Sequence, residues 1–169
     1  WIVAEGDGIN PGHIQLSGGL AVLNSLGIEK LALKWPNDIL IDGRKLCGIL
    51  AEGKTIQQGM RVVLGIGVNL KTASHDSDFE IAFLDEICEI EFEEFDRRLH
   101  CELASLLEHK EDLPPVRHEE IRKQALEKMK ELGLPKYNDT IYKEFDINIR
   151  GELVLNGETI DDGEDVTWV

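Results

Sequence analysis

Residues 34–52 read Lys-Trp-Pro-Asn-Asp-Ile-Leu-Ile-Asp-Gly-Arg-Lys-Leu-Cys-Gly-Ile-Leu-Ala-Glu, and the charged side chains among them could do chemistry together. Lys34 and Lys45 bring two ammonium groups, and Asp38 a carboxylate, to the two sides of an Asp42-Gly43 pair. Asp-Gly is a strong hairpin dipeptide, so the strands either side of it fold back and bring Asp38 and Lys45 close to each other. Two cations and a carboxylate on a stiff hairpin suit a substrate that is itself anionic. The alternative is a solvated hairpin whose Asp and Lys form an exposed pair worth under about 1 kcal/mol. Spacing alone leaves the two evenly balanced.

The elements that must position these residues are legible on either side. Leu31, Ala32 and Leu33 form a short apolar run, and Pro36 ends it because proline donates nothing to a ladder. The patterning predicts strands at 30–34, 38–42, 45–52 and 61–69, with loops at 53–55 and 57–59. Gly48 would let a ligand or another backbone come close. Asn10-Pro11 is a helix start, with proline at the first helical position. Leu16, Leu20, Leu23 and Leu26 then recur at helical intervals, and Gly27 closes the helix. Ser17, Gly18 and Gly19 cost helix propensity in its middle, which argues for close packing against a sheet. Gly65 and Gly67 make no dinucleotide fingerprint, because a third glycine and a following helix are missing.

Further on, the chain turns helical and acidic. A short helix or loop is expected at 79–84 and a longer helix at 93–110, burying Phe95, Leu99, Leu103, Leu106 and Leu107. Glu91, Glu93, Glu94 and Asp96 sit near its amino terminus, where the helix dipole favours them. They read as a solvated helix start, and His100, His109 and His118 as ordinary surface or half-buried histidines. Pro114-Pro115 breaks this run, and another helix follows at 118–132, ended by Gly133 and Pro135. The tail alternates as short strands at 140–142, 145–149, 152–155 and 165–169, with turn chemistry at Gly151, Asn156-Gly157 and Asp162-Gly163.

Composition sets the outer bounds. A chain of 169 residues with 42% apolar content can build a core and a small appendage. A net charge of −15 argues against nucleic acid and against anionic membrane surfaces as partners. No apolar run approaches the roughly 20 residues of a membrane span. Cys47, Cys88 and Cys101 show no metal spacing, so reduced thiols and a cytoplasmic setting are expected.

The 34–52 segment resembles the central signature of biotin–protein ligases, in which Lys-Trp-Pro-Asn-Asp is followed by Arg-Lys-Leu-x-Gly-Ile-Leu-x-Glu. Residues 34–38 and 44–52 match, with Cys47 at the variable place. Residues 62–70, Val-Val-Leu-Gly-Ile-Gly-Val-Asn-Leu, resemble the family's Gly-x-Gly-(Ile/Val)-Asn strand. The resemblance is sharp over 30–70, fair over 9–29 and weak beyond about 75. In the tail, 150–157 resemble the central hairpin of the small β-barrel that ends these ligases.

The resemblance implies ATP-dependent formation of biotinyl-5′-AMP and transfer of biotin to a lysine of a biotin carboxyl carrier protein. It implies Lys45 as the catalytic lysine, facing the biotin carboxylate and the α-phosphate, acting by electrostatic preorganisation rather than acid–base chemistry. Asn37 and Asp38 would hold the adenylate and, through Asp38, a Mg²⁺ ion carried with ATP. Gly48 would flank the biotin pocket and Asn69 the nucleotide, with Lys34, Trp35, Gly65 and Gly67 as further motif positions. Trp35 is expected to pack rather than to touch substrate.

The expected fold is α/β (α+β), a mixed sheet packed with helices, followed by a small β-rich domain. The division falls as a ligase-like domain over 1–135 and a barrel-like domain over 136–169. A lipoate ligase is the nearest chemical rival, though the Lys-Trp-Pro-Asn-Asp wording fits biotin better. A homodimer paired through an open sheet edge stays open. The family's Gly/Arg-rich loop that closes over biotinyl-AMP is not found in these residues, the first arginine being Arg44. The opening at Trp1-Ile2-Val3 reads as entry in mid-strand. The chain is then either a piece of a longer ligase, which that opening favours, or a short relative that binds biotin or a partner without turnover.

Overall fold

The computed structural model describes residues 2–6, 9–57, 59–72, 80–107 and 115–169, without the side chains of 2–6 and 115–117. Its centre is a five-stranded antiparallel sheet in the order β1-β5-β4-β3-β2. The strands are β1 (Ile2–Gly6), β2 (Leu31–Lys34), β3 (Asp38–Ile41), β4 (Arg44–Ile56) and β5 (Gly59–Val68). One face is covered by α1 (Pro11–Leu26), and α2 (Phe92–Leu107) and α3 (Pro115–Lys130) pack in turn on α1. The result is an α+β fold whose sheet leaves the β4–β5 part of its other face exposed, at Leu50 and Val63.

Helix α1 is the buried axle of this arrangement. Asn10 caps it, its side-chain oxygen accepting from the Gly12 N–H at 2.8 Å, and Pro11 stands at the first helical position. Gly27, at φ 64°, ends it in the left-handed conformation that glycine adopts without penalty. Between them nearly every side chain is buried, as expected of a helix with neighbours on all sides. Gly18 and Gly19 explain how the sheet comes so near. A Cβ on Gly18 would stand 3.1 Å from Ile49 and Leu64, and one on Gly19 would stand 2.9 Å from Leu33.

The β4–β5 hairpin runs longer than its sequence suggests. Pairing continues from Cys47↔Val68 to Ile56↔Gly59, so residues 53–55, expected as a loop, lie inside β4. Gly53 is there because of packing, not a turn: a side chain would meet the Met60 sulfur at 2.7 Å and Pro11 at 2.8 Å. Of the connection expected at 57–59, Gln58 lies outside the described residues and Gly59 opens β5.

Beyond β5, residues 80–83 run extended against β4 before a 3-10 turn at Leu84–Glu86. Phe79 lies outside the described residues, as do 108–110, the expected end of the second helix, and with them His109. Helix α3 begins at Pro115, three residues before the expected His118.

The tail forms two small three-stranded sheets. One is β11-β6-β7, from Thr167–Trp168, Pro135–Tyr137 and Thr140–Ile141; the other is β10-β9-β8, from Glu158–Ile160, Leu153–Leu155 and Phe145–Ile147. β6 was hidden by Pro135, which reads as a breaker but is tolerated as the first residue of a strand. Asn156 (φ 49°) and Gly157 (φ 85°) make the tight turn into β10, a strand the alternation did not reveal. One hydrophobic cluster runs from α1 and the main sheet through to Ile147, Leu153, Leu155, Ile160 and Val166.

Candidate functional site

The Asp42-Gly43 turn folds as its sequence predicts, both residues at positive φ (47° and 79°), and β3 pairs with β4 across it. The pairing is not regular. Lys45 stands opposite Leu40 but Cys47 stands opposite Ile39, so Leu46 is an extra residue in β4. In a regular strand Lys45 and Gly48, three apart, would face opposite sides. The bulge turns both to the open face and sends Leu46 and Cys47 into the core, 0% and 1% exposed.

On that face Lys45 Nζ lies 2.6 Å from Asp38 Oδ1, and their side chains are 43% and 16% exposed. The ammonium is reachable from solvent while its partner is mostly covered. The pair borders Gly48, whose missing side chain would stand 3.5 Å from the end of Lys45 and 3.8 Å from Asp38. Gly48 is cross-strand from Gly67, Leu50 from Gly65, and Glu52 from Val63. Three glycines therefore floor a strip of bare backbone, with the charged pair at one end. Leu50 (55% exposed) and Val63 (42% exposed) offer apolar surface along it.

The backbone that carries Lys45 is held from both sides. Its N–H donates to the Glu80 carbonyl at 2.9 Å, and its carbonyl accepts from the Ala82 N–H at 2.9 Å. Asn69 adds a third bond, its side-chain nitrogen donating to the Lys45 carbonyl at 3.0 Å. Asn69 thus sits under Lys45 as a support for its main chain. Arg44 ties the same strap down through Glu86 at 3.0 Å.

The Trp35-Pro36 bond is cis, and the turn after it lays Asn37 beside β4, where its carbonyl accepts from the Ile49 N–H at 2.7 Å. Gln15 of α1 fastens the turn to the sheet. Its amide nitrogen donates to the Pro36 carbonyl at 3.1 Å, and its amide oxygen accepts from the Ala51 N–H at 3.0 Å. Trp35 is 4% exposed and donates through Nε1 to the Gly151 carbonyl at 2.9 Å, so it packs and anchors. Lys34 is the register partner of Asp38 at the open edge of the sheet.

The structure thus brings Asp38, Lys45, Gly48, Gly65 and Gly67 onto one face and sets Asn37 and Lys34 at its border, while Asn69 supports from beneath. Sequence reasoning missed Gln15 and the 80–83 strap. The signal for Gln15 was a long polar amide in a helix that is largely apolar. The strap had none, since its bonds are backbone to backbone. Cys47 is inert at neutral pH: burial, then the nearby Asp38 carboxylate, pushes its thiol up to about 12, with Lys45 opposing. Among the described residues, no group of three or more His, Cys, Asp or Glu side chains could hold a metal ion, and no helix is long and apolar enough to cross a membrane.

Fold and geometry together define an α+β protein with a glycine-lined strip on one sheet face that ends at the Lys45–Asp38 pair. The model of the biotin/lipoate A/B protein ligase family matches residues 6–69. The chain is 37% identical over 75 residues to the biotin–[acetyl-CoA-carboxylase] ligase of Paracoccus denitrificans, covering 41% of this chain and 31% of that one. With the ligase of the same name from Mycobacterium tuberculosis it shares 44% over 73 residues, 40% of this chain and 26% of that one. The chain thus spans a third or less of the length of these relatives. Among solved structures, the apo biotin protein ligase of Aquifex aeolicus aligns with a TM-score of 0.67 at 21% identity, over 94% of this chain and 75% of that one. The same enzyme in complex with biotin and ATP gives 0.65 at 20% identity, over 95% and 68%. These alignments extend the shared fold beyond residue 69 into the helices and the tail.

Proposed function

We propose that this chain carries the chemistry of a biotin–protein ligase: it joins biotin to AMP from ATP, releasing pyrophosphate, and passes the biotinyl group to a lysine of a biotin carboxyl carrier protein. The observation that carries this is the glycine-floored strip of Gly48, Gly65 and Gly67 ending at the Lys45–Asp38 pair. A compact fused bicycle fits on bare backbone beside Leu50 and Val63, and a carboxylate at the end of its chain meets the Lys45 ammonium. Several relatives are named as ligases of this type, and the Aquifex aeolicus enzyme is described in complex with biotin and ATP.

Lys45 acts as a fixed positive charge. In the first half-reaction a biotin carboxylate oxygen attacks the α-phosphorus of ATP, and negative charge accumulates on the phosphoryl oxygens. An ammonium whose backbone is already bonded on both sides meets that charge with little reorganisation. Asp38 holds the ammonium in place. In the second half-reaction the carrier's lysine amine displaces AMP from the mixed anhydride. The donors present suit a Mg²⁺ ion that arrives with ATP: Lys45 engages Oδ1 of Asp38 and leaves Oδ2, and the Asn37 carboxamide has no hydrogen bond among the described residues. Those two groups would hold the ion, which supplies charge neutralisation on the phosphates. We place the protein in the cytoplasm, where Cys88 and Cys101, free and partly or fully exposed, stay reduced.

The direct test is incubation of the chain with biotin and Mg-ATP, following pyrophosphate release and biotinyl-AMP by mass spectrometry. Both products are expected from the native chain and neither from Lys45→Ala, whose fold should survive. Biotin binding without any adenylate would instead support a binding module without turnover.

A further inference from the structure

Pairing between β4 and β5 starts at Cys47↔Val68, which leaves Lys45 beyond the end of β5. The strap at 80–83 fills that place. Ile81 bridges Lys45 in parallel, and the Lys45 N–H and carbonyl bond to Glu80 and Ala82. Ala82 and Leu84, 0% and 4% exposed, seat the strap in the core. Its far end, the 3-10 turn at Leu84–Glu86, is held largely by charge. Both Asp85 oxygens accept from the Thr72 N–H at 3.1 Å, and Oδ1 accepts from the Thr72 hydroxyl at 2.9 Å. Glu86 meets Arg44 at 3.0 Å, and Arg44 Nη1 also donates to the Ile81 carbonyl at 3.5 Å. The Leu84 N–H donates to the Asn69 carbonyl at 2.7 Å. Arg44, which precedes Lys45 in β4, and Asn69, which supports it from beneath, are thus tied to the same turn.

We propose that Glu86, acting through Arg44, is a positioning residue for adenylation: it fixes the strap, and with it the place from which the Lys45 ammonium reaches the reacting phosphorus. This role rests on the ligase chemistry proposed above. An exposed ion pair adds little to folding, so stability gives the Arg44–Glu86 clasp little to do. Geometry gives it more. In the ground state a flexible four-carbon stem still finds a carboxylate when its backbone shifts slightly. In the transition state the ammonium must already stand where charge accumulates, and a small misplacement is costly. The sign of the effect separates positioning from plain electrostatics. Neutralising Glu86 removes a negative charge near an anionic substrate, which by Coulomb attraction alone favours binding and turnover. A positioning role requires the opposite, a loss of turnover.

The test compares the 169-residue chain with Glu86→Gln, Arg44→Gln and the double variant. Steady-state adenylation with biotin and Mg-ATP gives kcat, calorimetry gives biotin affinity, and NMR gives hydrogen exchange at the Lys45 and Ala82 amides. In Glu86→Gln, kcat should fall about tenfold, a fraction of the hundredfold that a misplacement of about 1 Å costs. Biotin affinity should stay within about twofold, because Lys45 is still present, and the melting temperature within about 4 °C. The double variant should lose no more than Arg44→Gln alone, since the same clasp is removed once. Both amides should exchange at least about threefold faster in each variant. A kcat in Glu86→Gln equal to or above the native value, losses that multiply in the double variant, or unchanged exchange overturns the role. If the native chain forms no adenylate, the ligase reading fails by itself, and exchange decides the clasp: faster exchange retains Glu86 as the holder of Lys45, and unchanged exchange removes that role as well.

Discussion

Lys45 faces the open side of the sheet together with Gly48 because Leu46 is an extra residue in β4. That one-residue offset is what turns a charged hairpin into a floor with a cation at its end. The Asp38–Lys45 neighbourhood was legible in the sequence, since it needs only a two-residue turn and local pairing. The bulge was not, because nothing in Lys-Leu-Cys-Gly distinguishes a bulged strand from a regular one. The glycine strip yields a prediction at this scale. A Cβ at Gly67 would find its nearest neighbour 3.8 Å away at the Gly48 carbonyl, so Gly67→Val fits the strand and fills the strip. Its melting temperature should match the native chain or exceed it slightly, valine being the better strand former. Biotin affinity, measured by calorimetry, should fall at least about tenfold, a loss of about 1.4 kcal/mol.

At the scale of elements, the site depends on how closely α1 lies on the sheet. Gln15 reaches from that helix to both the Pro36 carbonyl and the Ala51 N–H, so the Trp-Pro-Asn turn and β4 share one support. The glycines that permit this approach were correctly read as packing devices, because two in mid-helix cost too much to be incidental. Gly53 misled for the converse reason. Glycine beside Lys-Thr looks like a loop, and only the three-dimensional approach of Met60 and Pro11 shows why a strand needs it there. Gly18→Val should force Ile49 and Leu64 aside and destabilise the fold by about 1–3 kcal/mol. Chemical denaturation should show the lower midpoint with an unchanged slope. A midpoint equal to the native value would mean the helix is not tightly seated.

The whole molecule is joined by contacts that no local pattern announces. Trp35 donates to Gly151 across 116 residues, Gly163 lies against Pro36, and Gly151 packs on Gly12. The tail is thereby seated on the turn that leads to Asp38. Such contacts pair residues far apart in sequence, which is why the strands of the tail could be read only in part. His13 lies at the same junction. It is 2% exposed and packs against His118 with ring centroids 4.3 Å apart. Burial first, and then His118, lowers its pKa to about 4, opposed only by the backbone of Ile149. A base with a depressed folded pKa stabilises the fold while neutral in both states. That contribution is full above the unfolded value near 6.5 and is lost as pH falls from there toward 4. Its upper bound is on the order of 3 kcal/mol. Thermal unfolding from pH 8 to pH 5 should show a falling melting temperature, and His13→Phe should flatten the slope. An unchanged slope in the variant would assign the pH dependence to other groups.

The proposed function requires that Lys45 meet the carboxylate of biotin at the end of the glycine strip. Calorimetric titration with biotin and with biotin amide, into the native chain and into Lys45→Ala, tests it most directly. The amide keeps the rings and removes the charge. The native chain should bind biotin at least about tenfold more tightly than the amide, the value of one charged contact. Lys45→Ala should bind the two alike and weakly. A native chain that does not discriminate between them, or a variant that still does, would contradict the account.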